Sequence, residues 1–346
     1  MKKVWGSLLV ACMLLLSVTA FLRLGEVKAN PVTWTVATSG SADFHSIQAA
    51  VNSANAGDTI VVKSGTYLET VTIGKSLTLV GNGPGKTFIE GTSSAGAVTI
   101  NSGNIGIFNF SISNVPQIMS PAVTISGVSG VTVANNTISG SQTGIAFTSA
   151  SNNIVANNTL ISDGYAVSLD MSSYGNTFYQ NNITENTIGV YLFLSYNNTF
   201  YHNTFSKNTM QVLLIGQQSN NWDEGYPDGG NYWSDYTGVD LNMGINQNIP
   251  TSDGIGDTPY TIGTNNVDNY PLMRPYHYIP GDLNKDGVVD FKDLVYFVNG
   301  YISYWSTFTI KPEYKVCDLN NDGRIDIIDL VIFASDYIMY QESTQH

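Results

Sequence analysis

A motif that recurs every 22 or 23 residues constrains the fold of this chain more than any other feature. Its clearest marker is a column of asparagines: Asn136, Asn158, Asn181 and Asn203, spaced by 22, 23 and 22 residues. Four apolar columns keep the same register: Val133, Val155, Phe178 and Phe200; Ile138, Leu160, Ile183 and Phe205; Ile145, Val167, Val190 and Val212; Phe147, Leu169, Leu192 and Leu214. Such a period indicates a repeat architecture, and each repeat holds short β-type alternations divided by Asn, Gly and Ser.

These repeats predict an all-β solenoid, a parallel β-helix whose successive turns stack at about 4.8 Å. The aliphatic columns then fill the interior. Asparagine suits the corners because it tolerates left-handed backbone angles, and its stacked amides can hydrogen-bond from coil to coil. Glu185 and Lys207 lie 22 residues apart in matching positions, so we expect an ion pair between adjacent coils.

The ends of the solenoid require caps, because its terminal coils would otherwise expose the core. Upstream, 43–55 places five apolar residues on one helical face, which predicts a capping helix: Phe44, Ile47, Ala50, Val51 and Ala54. Downstream, the densest aromatic cluster of the chain is formed by Trp222, Tyr232, Trp233 and Tyr236. These rings are candidates for stacking on sugars, and the alternative is a hydrophobic plug that seals the last coil.

Two twelve-residue windows near the C-terminus share one pattern of oxygen-bearing side chains at positions 1, 3, 5, 9 and 12. The first has Asp282, Asn284, Asp286, Asp290 and Asp293, and the second has Asp318, Asn320, Asp322, Asp326 and Asp329. Position 7, Val288 or Arg324, offers a backbone carbonyl, and the glycine at position 6 permits a sharp turn. The two windows therefore predict two calcium ions.

Both windows differ from an ordinary EF-hand, because position 12 is Asp rather than Glu and the sequence indicates a helix only after each loop. The duplicated loop and helix over 281–340 resembles the type I dockerin module, which implies a cohesin domain of a scaffold protein as the partner. In that family, positions 10 and 11 lie beside the cohesin contact, and here they are Phe291, Lys292, Ile327 and Ile328. For the two isoleucines, packing inside the module is the alternative.

Segments on both sides of the repeats resemble known β-helix families. Gly57-Asp58-Thr59-Ile60, Gly65-Thr66-Tyr67 and Lys75-Ser76-Leu77-Thr78-Leu79 resemble the entry coils of pectate-lyase-like proteins. Gly229-Gly230-Asn231-Tyr232-Trp233 and Asp268-Asn269-Tyr270-Pro271-Leu272 resemble the tail of NosD-type proteins. This resemblance, over about 35–275, implies a right-handed parallel β-helix. The fold hosts several functions, so the resemblance specifies architecture better than activity.

These features divide the chain into seven expected segments. They are a signal peptide (1–29), an N-terminal strand and capping helix (30–57), parallel β-helix coils (58–220), a NosD-type tail and cap (221–275), a linker (276–280), the small α-helical dockerin-like calcium module (281–340) and a tail (341–346).

The first residues indicate export. Met1-Lys2-Lys3 precede an uncharged stretch, and Val27-Lys28-Ala29 supplies small residues before a cut at Asn30. An uncleaved membrane anchor is the alternative. We therefore expect a secreted, extracellular or cell-surface protein. Without the leader only Cys317 remains, which excludes an intrachain disulfide, and a net charge of −13 argues against nucleic acid as a partner. Apart from cohesin, we expect a monomer.

Charge is too sparse on the repeats to favour catalysis. No Asp, Glu, Lys or Arg occurs from Gly91 to Leu160, and the coils up to 215 add only Asp163, Asp170, Glu185 and Lys207. The sequence therefore predicts no catalytic residues and favours a non-catalytic, carbohydrate-binding surface protein. The alternative is a polysaccharide lyase or glycoside hydrolase that uses Asp163 and Asp170. Copper delivery, a third hypothesis, has only the NosD name behind it, since the four histidines are scattered.

Two further motifs are weaker. Asp253-Gly254-Ile255-Gly256-Asp257 is similar to half of a calcium loop, which Asp240 and Asn242 could complete as a third site. Four Asn-x-Thr sequons, at Asn135, Asn157, Asn182 and Asn197, are candidate glycosylation sites, but the repeat's own Asn-Thr turns also generate them.

Overall fold

Three parallel sheets form the walls of a β-solenoid in this computed structural model, which describes residues 30–92, 96–114, 120–276, 279–284, 287–320 and 322–343, without the side chains of 342 and 343. Strands are numbered along the chain. Sheet 1 contains β1 (Thr33–Val36), β2 (Thr59–Val62), β5 (Thr78–Gly81), β8 (Gly106–Phe108), β11 (Thr132–Ala134), β14 (Ile154–Ala156), β17 (Thr177–Tyr179) and β20 (Thr199–Tyr201). Sheet 2 contains β3 (Gly65–Leu68), β6 (Thr87–Gly91), β9 (Ser111–Asn114), β12 (Thr137–Ser139), β15 (Thr159–Ile161), β18 (Asn182–Thr184), β21 (Thr204–Ser206) and β23 (Tyr232–Trp233). Sheet 3 contains β4 (Val71–Ile73), β7 (Val98–Ile100), β10 (Pro121–Ser126), β13 (Thr143–Thr148), β16 (Tyr165–Asp170), β19 (Ile188–Phe193) and β22 (Met210–Ile215).

The register between coils confirms the four apolar columns predicted from the repeat. Val155 pairs with Phe178 in sheet 1, for example, and Leu160 pairs with Ile183 in sheet 2. Sheet 3 aligns the other two columns in the same way. Most of these side chains are fully buried, so the solenoid interior is one continuous hydrophobic core. The expected ion pair is also present, with Lys207 Nζ 3.0 Å from Glu185 Oε1.

Buried side-chain ladders hold the three corners of the later coils, from Asn136 onward. The first corner, between sheets 3 and 1, stacks Asn153, Asn176, Asn198, Asn220 and Asn266. The second, between sheets 1 and 2, stacks Asn136, Asn158, Asn181, Asn203 and Asn231. The third, between sheets 2 and 3, stacks Ser141, Asp163, Asn186 and Asn208.

Each asparagine side chain inside these ladders uses both its Oδ1 acceptor and its Nδ2 donor. Asn158 Nδ2 donates to Asn181 Oδ1 (3.1 Å) in the next coil and to the Val133 carbonyl (2.8 Å) in the previous one, while its backbone amide also donates to Asn181 Oδ1 (3.0 Å). Every buried polar atom of the rung is therefore satisfied.

The left-handed backbone positions lie one residue before the ladder, which corrects the expected role of the asparagine columns. At the second corner these positions are Asn135, Asn157, Gln180 and His202, with φ between 54° and 58°. The ladder asparagines are selected for their amide hydrogen bonds, whereas the preceding residue makes the turn. Several residue types occupy that turn: the side chains of Asn135 and Asn157 are exposed there, Gln180 is half-buried, and His202 is buried.

A short helix closes the N-terminal end of the solenoid, as expected. Helix α1 (Ile47–Ser53) begins later than the predicted Asp43 because Ser46 caps it, with its Oγ accepting from the Ala49 amide. Glu69 accepts hydrogen bonds from the Ile47 and Gln48 amides, which anchors the start of the helix to the second coil. Residues 43 and 44 instead bond back to β1.

Aromatic rings close the other end. Trp222 stacks on Phe200 at 4.4 Å and Trp233 stacks on Phe205 at 4.3 Å, measured between ring centroids. Two hairpins follow, β24 (Asn242–Met243) with β25 (Ile249–Pro250), and β26 (Tyr260–Gly263) with β27 (Asn266–Asp268). The second hairpin supplies Asn266 and Asp268, which accept the indole N–H of Trp222 (3.0 Å) and of Trp233 (2.8 Å).

The C-terminal module is helical. Helix α2 (Phe291–Thr307) and helix α3 (Ile327–Ser343) follow the two acidic loops, and Phe297 and Phe333 pack between them. A 3-10 helix over Pro312–Cys317 directly precedes the second loop, so the expectation that no helix precedes either loop is wrong for that copy. Cys317 is buried and burial raises the pKa of its thiol to about 12.

Asp163 is the one aspartate inside a ladder between asparagine or serine rungs. Its Oδ1 accepts from the Ser141 amide at 2.7 Å, but its Oδ2 is buried without a hydrogen-bond partner. The Nδ2 of Asn186, one coil later, donates to the Leu160 and Thr184 carbonyls and to Asn208 Oδ1. By the ladder register, Asp163 Oδ2 therefore faces acceptors, and burial raises the pKa of this carboxyl to about 8.

We predict that Asp163→Asn stabilises the solenoid at neutral pH, because an amide supplies the donor at this rung without taking up a proton. A carboxyl with a folded-state pKa of about 8 has to bind a proton on folding to supply the same donor, and the expected gain from the substitution is about 1–3 kcal/mol, the order of one unsatisfied buried polar group. The folded-state pKa of about 8 lies above the ordinary 3.8, so this group's contribution to stability is complete below about pH 4 and is lost as pH rises through about 8. Thermal unfolding of both proteins between pH 5 and pH 9 should show a steeper loss of stability with pH in the wild type than in Asp163→Asn, which keeps the raised pKa values of Asp253 and Asp268.

The matched control is Asn186→Asp, which introduces the same defect one rung later and should destabilise the protein. Equal stability of Asp163→Asn and wild type across this pH range would contradict the prediction.

Candidate metal centre and binding surfaces

The two acidic loops of the C-terminal module adopt the same hydrogen-bonded structure. At position 1, Asp282 Oδ2 accepts from the Gly287 amide and Asp318 Oδ2 accepts from the Gly323 amide, both at 2.9 Å. Gly287 and Gly323 have φ of 83° and 82°, a conformation that favours glycine. Position 1 therefore closes the turn at position 6 in both copies.

Position 12 organises the rest of each loop. Asp293 Oδ1 accepts from the amides of Leu283 (2.8 Å) and Asn284 (3.1 Å), and its Oδ2 accepts from the amide of Asp290 (2.8 Å). Asp329 makes the equivalent three contacts with Leu319, Asn320 and Asp326. Both carboxylates are fully buried.

Position 9 begins the helix that follows each loop. Asp290 Oδ1 accepts from the Lys292 amide at 2.7 Å, and Asp326 Oδ1 accepts from the Ile328 amide at 2.8 Å. Aspartate is a preferred N-cap, and its charge suits the positive end of a helix. The same side chain thus belongs to the predicted ligand set and to the first turn of helix α2 or α3.

The chemistry of these residues fits calcium. Each described ligand position offers a carboxylate, amide or carbonyl oxygen, which hard cations prefer, and Asp286 lies outside the described residues. Asp329 is buried, and its partners in the described part of the chain are backbone amides, so its negative charge favours a nearby cation. Across those residues, no three His, Cys, Asp or Glu side chains converge as a closed metal cluster.

The predicted cohesin-contact residues lie at the module surface. Phe291 is 72% exposed, Ile327 65% and Ile328 52%, and Lys292 is also exposed. Packing of the two isoleucines inside the module is therefore excluded.

Sequence reasoning missed the rest of this apolar surface. Further exposed residues continue along helix α2 at helical spacing and along helix α3: Val295, Val298, Ile302 and Trp305, and Val331 and Ile338. The 3.6-residue periodicity was visible, but the sequence alone does not say which apolar face of a helix is the buried one.

Two of the four candidate sugar-stacking aromatics are not available to a ligand. Trp222 and Trp233 are each 1% exposed, because they cover Phe200 and Phe205 and donate their N–H groups to the tail hairpin. Tyr236 packs on the same core, and Tyr232 is half-buried in β23. The cluster is a plug, which corrects the sugar-stacking hypothesis.

Stacked tyrosines on the outer side of the coils are a second feature that the sequence reasoning overlooked. Tyr174 and Tyr196 stack at 5.5 Å with their planes 6° apart, and Tyr179 and Tyr201 stack at 5.4 Å and 8°. Both pairs keep the 22-residue spacing, which is the signal that could have revealed them.

The third acidic segment is an internal turn of the tail. Asp257 accepts hydrogen bonds from the Leu241 and Asn242 amides, and Asp240 accepts from the Asp253 and Gly254 amides. Burial raises the pKa of Asp253 to about 6. These carboxylates hold the loop against the tail.

Comparison with family models identifies the solenoid. Residues 51–238, more than half of the chain, match the model described as periplasmic copper-binding protein (NosD). The chain belongs to the NosD family. Residues 280–335 of this NosD-family chain match the dockerin type I domain, so the C-terminal module is a dockerin domain, a type that binds calcium and cohesins. Comparison with curated protein sequences finds no match.

Solved structures share a low overall similarity with this NosD-family chain. Pectin methylesterase from carrot has 12% identity and a TM-score of 0.40, covering 60% of this chain and 73% of that one. Pectin methylesterase PemA from Erwinia chrysanthemi has 15% identity and a TM-score of 0.38, with coverages of 60% and 78%. Escherichia coli YbhC has 17% identity and a TM-score of 0.41, with coverages of 73% and 82%.

The histidines are the residues that a copper site would use, and the helices bear on membrane insertion. His45 Nδ1 lies 2.8 Å from the Ala37 carbonyl and His202 is buried beside Asp228, whereas His277 and His346 lie outside the described residues. Of the helices that the structure describes, none has the length and apolar character needed to cross a membrane.

We predict that calcium removal unfolds the dockerin domain and leaves the solenoid intact. The predicted calcium ligands are gathered in the dockerin loops, whereas asparagine amides form most rungs of the ladders that hold the coils together. Hydrogen exchange of the full chain, with and without a chelator, should show lost protection over 281–340 and unchanged protection over 58–220.

The Asp282→Ala/Asp318→Ala double variant is the control, and a chelator should have little further effect on it. Full protection of helices α2 and α3 in the chelated wild type would contradict this prediction.

Proposed function

We propose that this chain is a non-catalytic, secreted β-helix protein that a scaffold recruits by binding the calcium-loaded dockerin domain through a cohesin. The observation that carries the proposal is the exposed apolar surface at loop positions 10 and 11. Phe291 and Ile327 begin the two helices directly after the N-caps Asp290 and Asp326. An exposed apolar patch beside an ordered acidic loop is typical of a protein interface.

Calcium at the two loops would explain why the interface depends on the ion. The proposed ligands are Asp282, Asn284, Asp286, the Val288 carbonyl, Asp290 and Asp293, and then Asp318, Asn320, Asp322, the Arg324 carbonyl, Asp326 and Asp329. A bound cation supplies positive charge among these carboxylates. Since positions 9 and 12 also hold the first turn of each helix, the same residues orient the contact side chains.

Export is part of the proposal. Residues 1–29, expected to be a signal peptide, lie outside the described residues. An exported chain would meet calcium and surface polysaccharides, and both suit the proposed role.

A carbohydrate-active enzyme is the alternative, and the geometry of the two candidate carboxylates argues against it. Asp163 is buried in the third-corner ladder before β16, and Asp170 is the last residue of that strand. Seven residues of extended chain separate them by roughly 20 Å. Paired glycosidase carboxylates stand only about 5–10 Å apart.

We therefore predict no cleavage of pectin-like polymers by the full chain. Assays for new reducing ends and for unsaturated products should match a protein-free blank. Cleavage that disappears in Asp170→Asn, with the fold preserved, would establish the enzyme alternative.

The recruitment proposal predicts that two kinds of variant fail differently. Asp282→Ala with Asp318→Ala removes one ligand from each loop and should abolish cohesin binding at micromolar calcium. Phe291→Ala or Ile327→Ala should weaken cohesin binding about 10-fold or more while calcium uptake stays unchanged, because only a partner contact is lost. Calorimetry with calcium, and then with cohesins from the same genome, measures both.

Leu241→Ala is the matched control, since Leu241 is a similarly exposed apolar residue on the tail and should leave both affinities unchanged. If no cohesin binds the calcium-loaded wild type, recruitment is refuted.

A further inference from the structure

The outer face of sheet 1 carries two aromatic edges over its last coils. Tyr174 and Tyr196 lie at the first corner, before β17 and β20, and are 43% and 37% exposed. Tyr179 and Tyr201 end the same two strands, half-buried and stacked on each other. Thr177 and Thr199 pair between the two tyrosine pairs and point outward, because Phe178 and Phe200 point into the core. We name these six residues the tyrosine face.

A polar cleft extends the tyrosine face at its C-terminal end. Asn221, one coil after Thr199, pairs with it in parallel, and a cavity of about 660 Å³ opens there. Its walls include Asp223, Glu224 and Asn269, and Asp223 Oδ2 accepts from both Asn269 nitrogens at 2.9 Å. The aromatic, hydroxyl and amide groups thus follow one another along the solenoid axis.

Charge on this surface has one sign. The segments 151–156, 174–179 and 196–201 contain no charged residue. In the cleft, burial and the nearby Asp228 raise the pKa of Glu224. Lys315, whose charge acts in the opposite direction on this carboxyl, forms an ion pair with Asp228 at 3.5 Å.

We propose that the tyrosine face and its cleft bind a strand of neutral polysaccharide running along the solenoid axis. This inference goes beyond the proposed recruitment by a cohesin and extends the carbohydrate-binding role expected from the sequence. It names the site and the class of glycan.

The chemistry of the surface matches such a ligand. The apolar C–H groups of a sugar ring pack on the exposed surface of an aromatic ring, and tyrosine also offers its hydroxyl. Threonine hydroxyls and asparagine amides donate to and accept from sugar hydroxyls. A polyuronate would instead bring carboxylates toward Asp223 and Glu224 without a free basic partner in the tyrosine face, which is unfavourable.

The experiment is affinity electrophoresis of the full chain in gels containing xylan, mixed-linkage β-glucan, galactomannan or polygalacturonate. We expect retardation by at least one neutral polymer and none by polygalacturonate. Tyr174→Ala with Tyr196→Ala should weaken that retention at least 10-fold. Tyr196→Phe should keep it, because the ring rather than the hydroxyl makes the stack.

The matched control is Tyr165→Ala with Tyr191→Ala, which removes the tilted tyrosine pair of sheet 3, with ring centroids 5.3 Å apart. This variant should bind like the wild type, and a melting temperature near that of the wild type would show that each variant folds.

Three results would overturn the inference. Loss of binding in the sheet 3 control, with Tyr174→Ala/Tyr196→Ala unaffected, would move the site to sheet 3 and leave polysaccharide binding in place. Equal retention by polygalacturonate would refute the neutral class. Absence of retention in every gel would refute polysaccharide binding altogether, while cohesin binding would be tested separately by calorimetry.

Discussion

Buried amides at the coil corners are the interaction on which the rest of this structure depends. A solenoid turn must bury its corner polar groups against the next coil, where water cannot reach them, and an unpaired group there costs about 1–3 kcal/mol. A stacked asparagine solves this, since its Oδ1 accepts from the previous rung while its Nδ2 donates onward. Each rung donates a hydrogen bond to the next one. The residue that ends a ladder therefore has to find its hydrogen-bond partners outside the ladder.

The contrast between Asp268 and Asp163 shows that requirement. Asp268 ends the second-corner ladder and receives N–H groups from Asn231, Trp233 and Tyr270, so an acceptor-only side chain fits there, although burial raises its pKa to about 7. Asp163 sits between rungs, where a donor is needed as well. The same residue type is thus suited to the end of a ladder and costly inside one.

The coil register could be predicted from the sequence because identical positions must stack, so each apolar column carries the 22-residue period of Val133, Val155 and Phe178. The calcium loops were equally accessible, since their ligands are close in sequence. Less predictable were features set by tertiary packing: that Trp222 faces the core rather than a sugar, and that Ile327 faces solvent. The local sequence shows that such a residue is aromatic or apolar, but it does not show which part of the protein packs against it.

Stability and binding use opposite chemistry in the two parts of the chain. Neutral amides hold the coils, which leaves the outer face of sheet 1 free of charge and open to stacking on Tyr174 and Tyr196. Carboxylates hold the dockerin loops, which ties the Phe291 and Ile327 surface to a cation. On the two proposals, a binding surface that is independent of calcium is joined to one that requires it. If the proposed recruitment holds, a fall in calcium would release the protein from its scaffold without dismantling the β-helix, because the corner ladders are held by hydrogen bonds between protein groups and include none of the proposed calcium ligands.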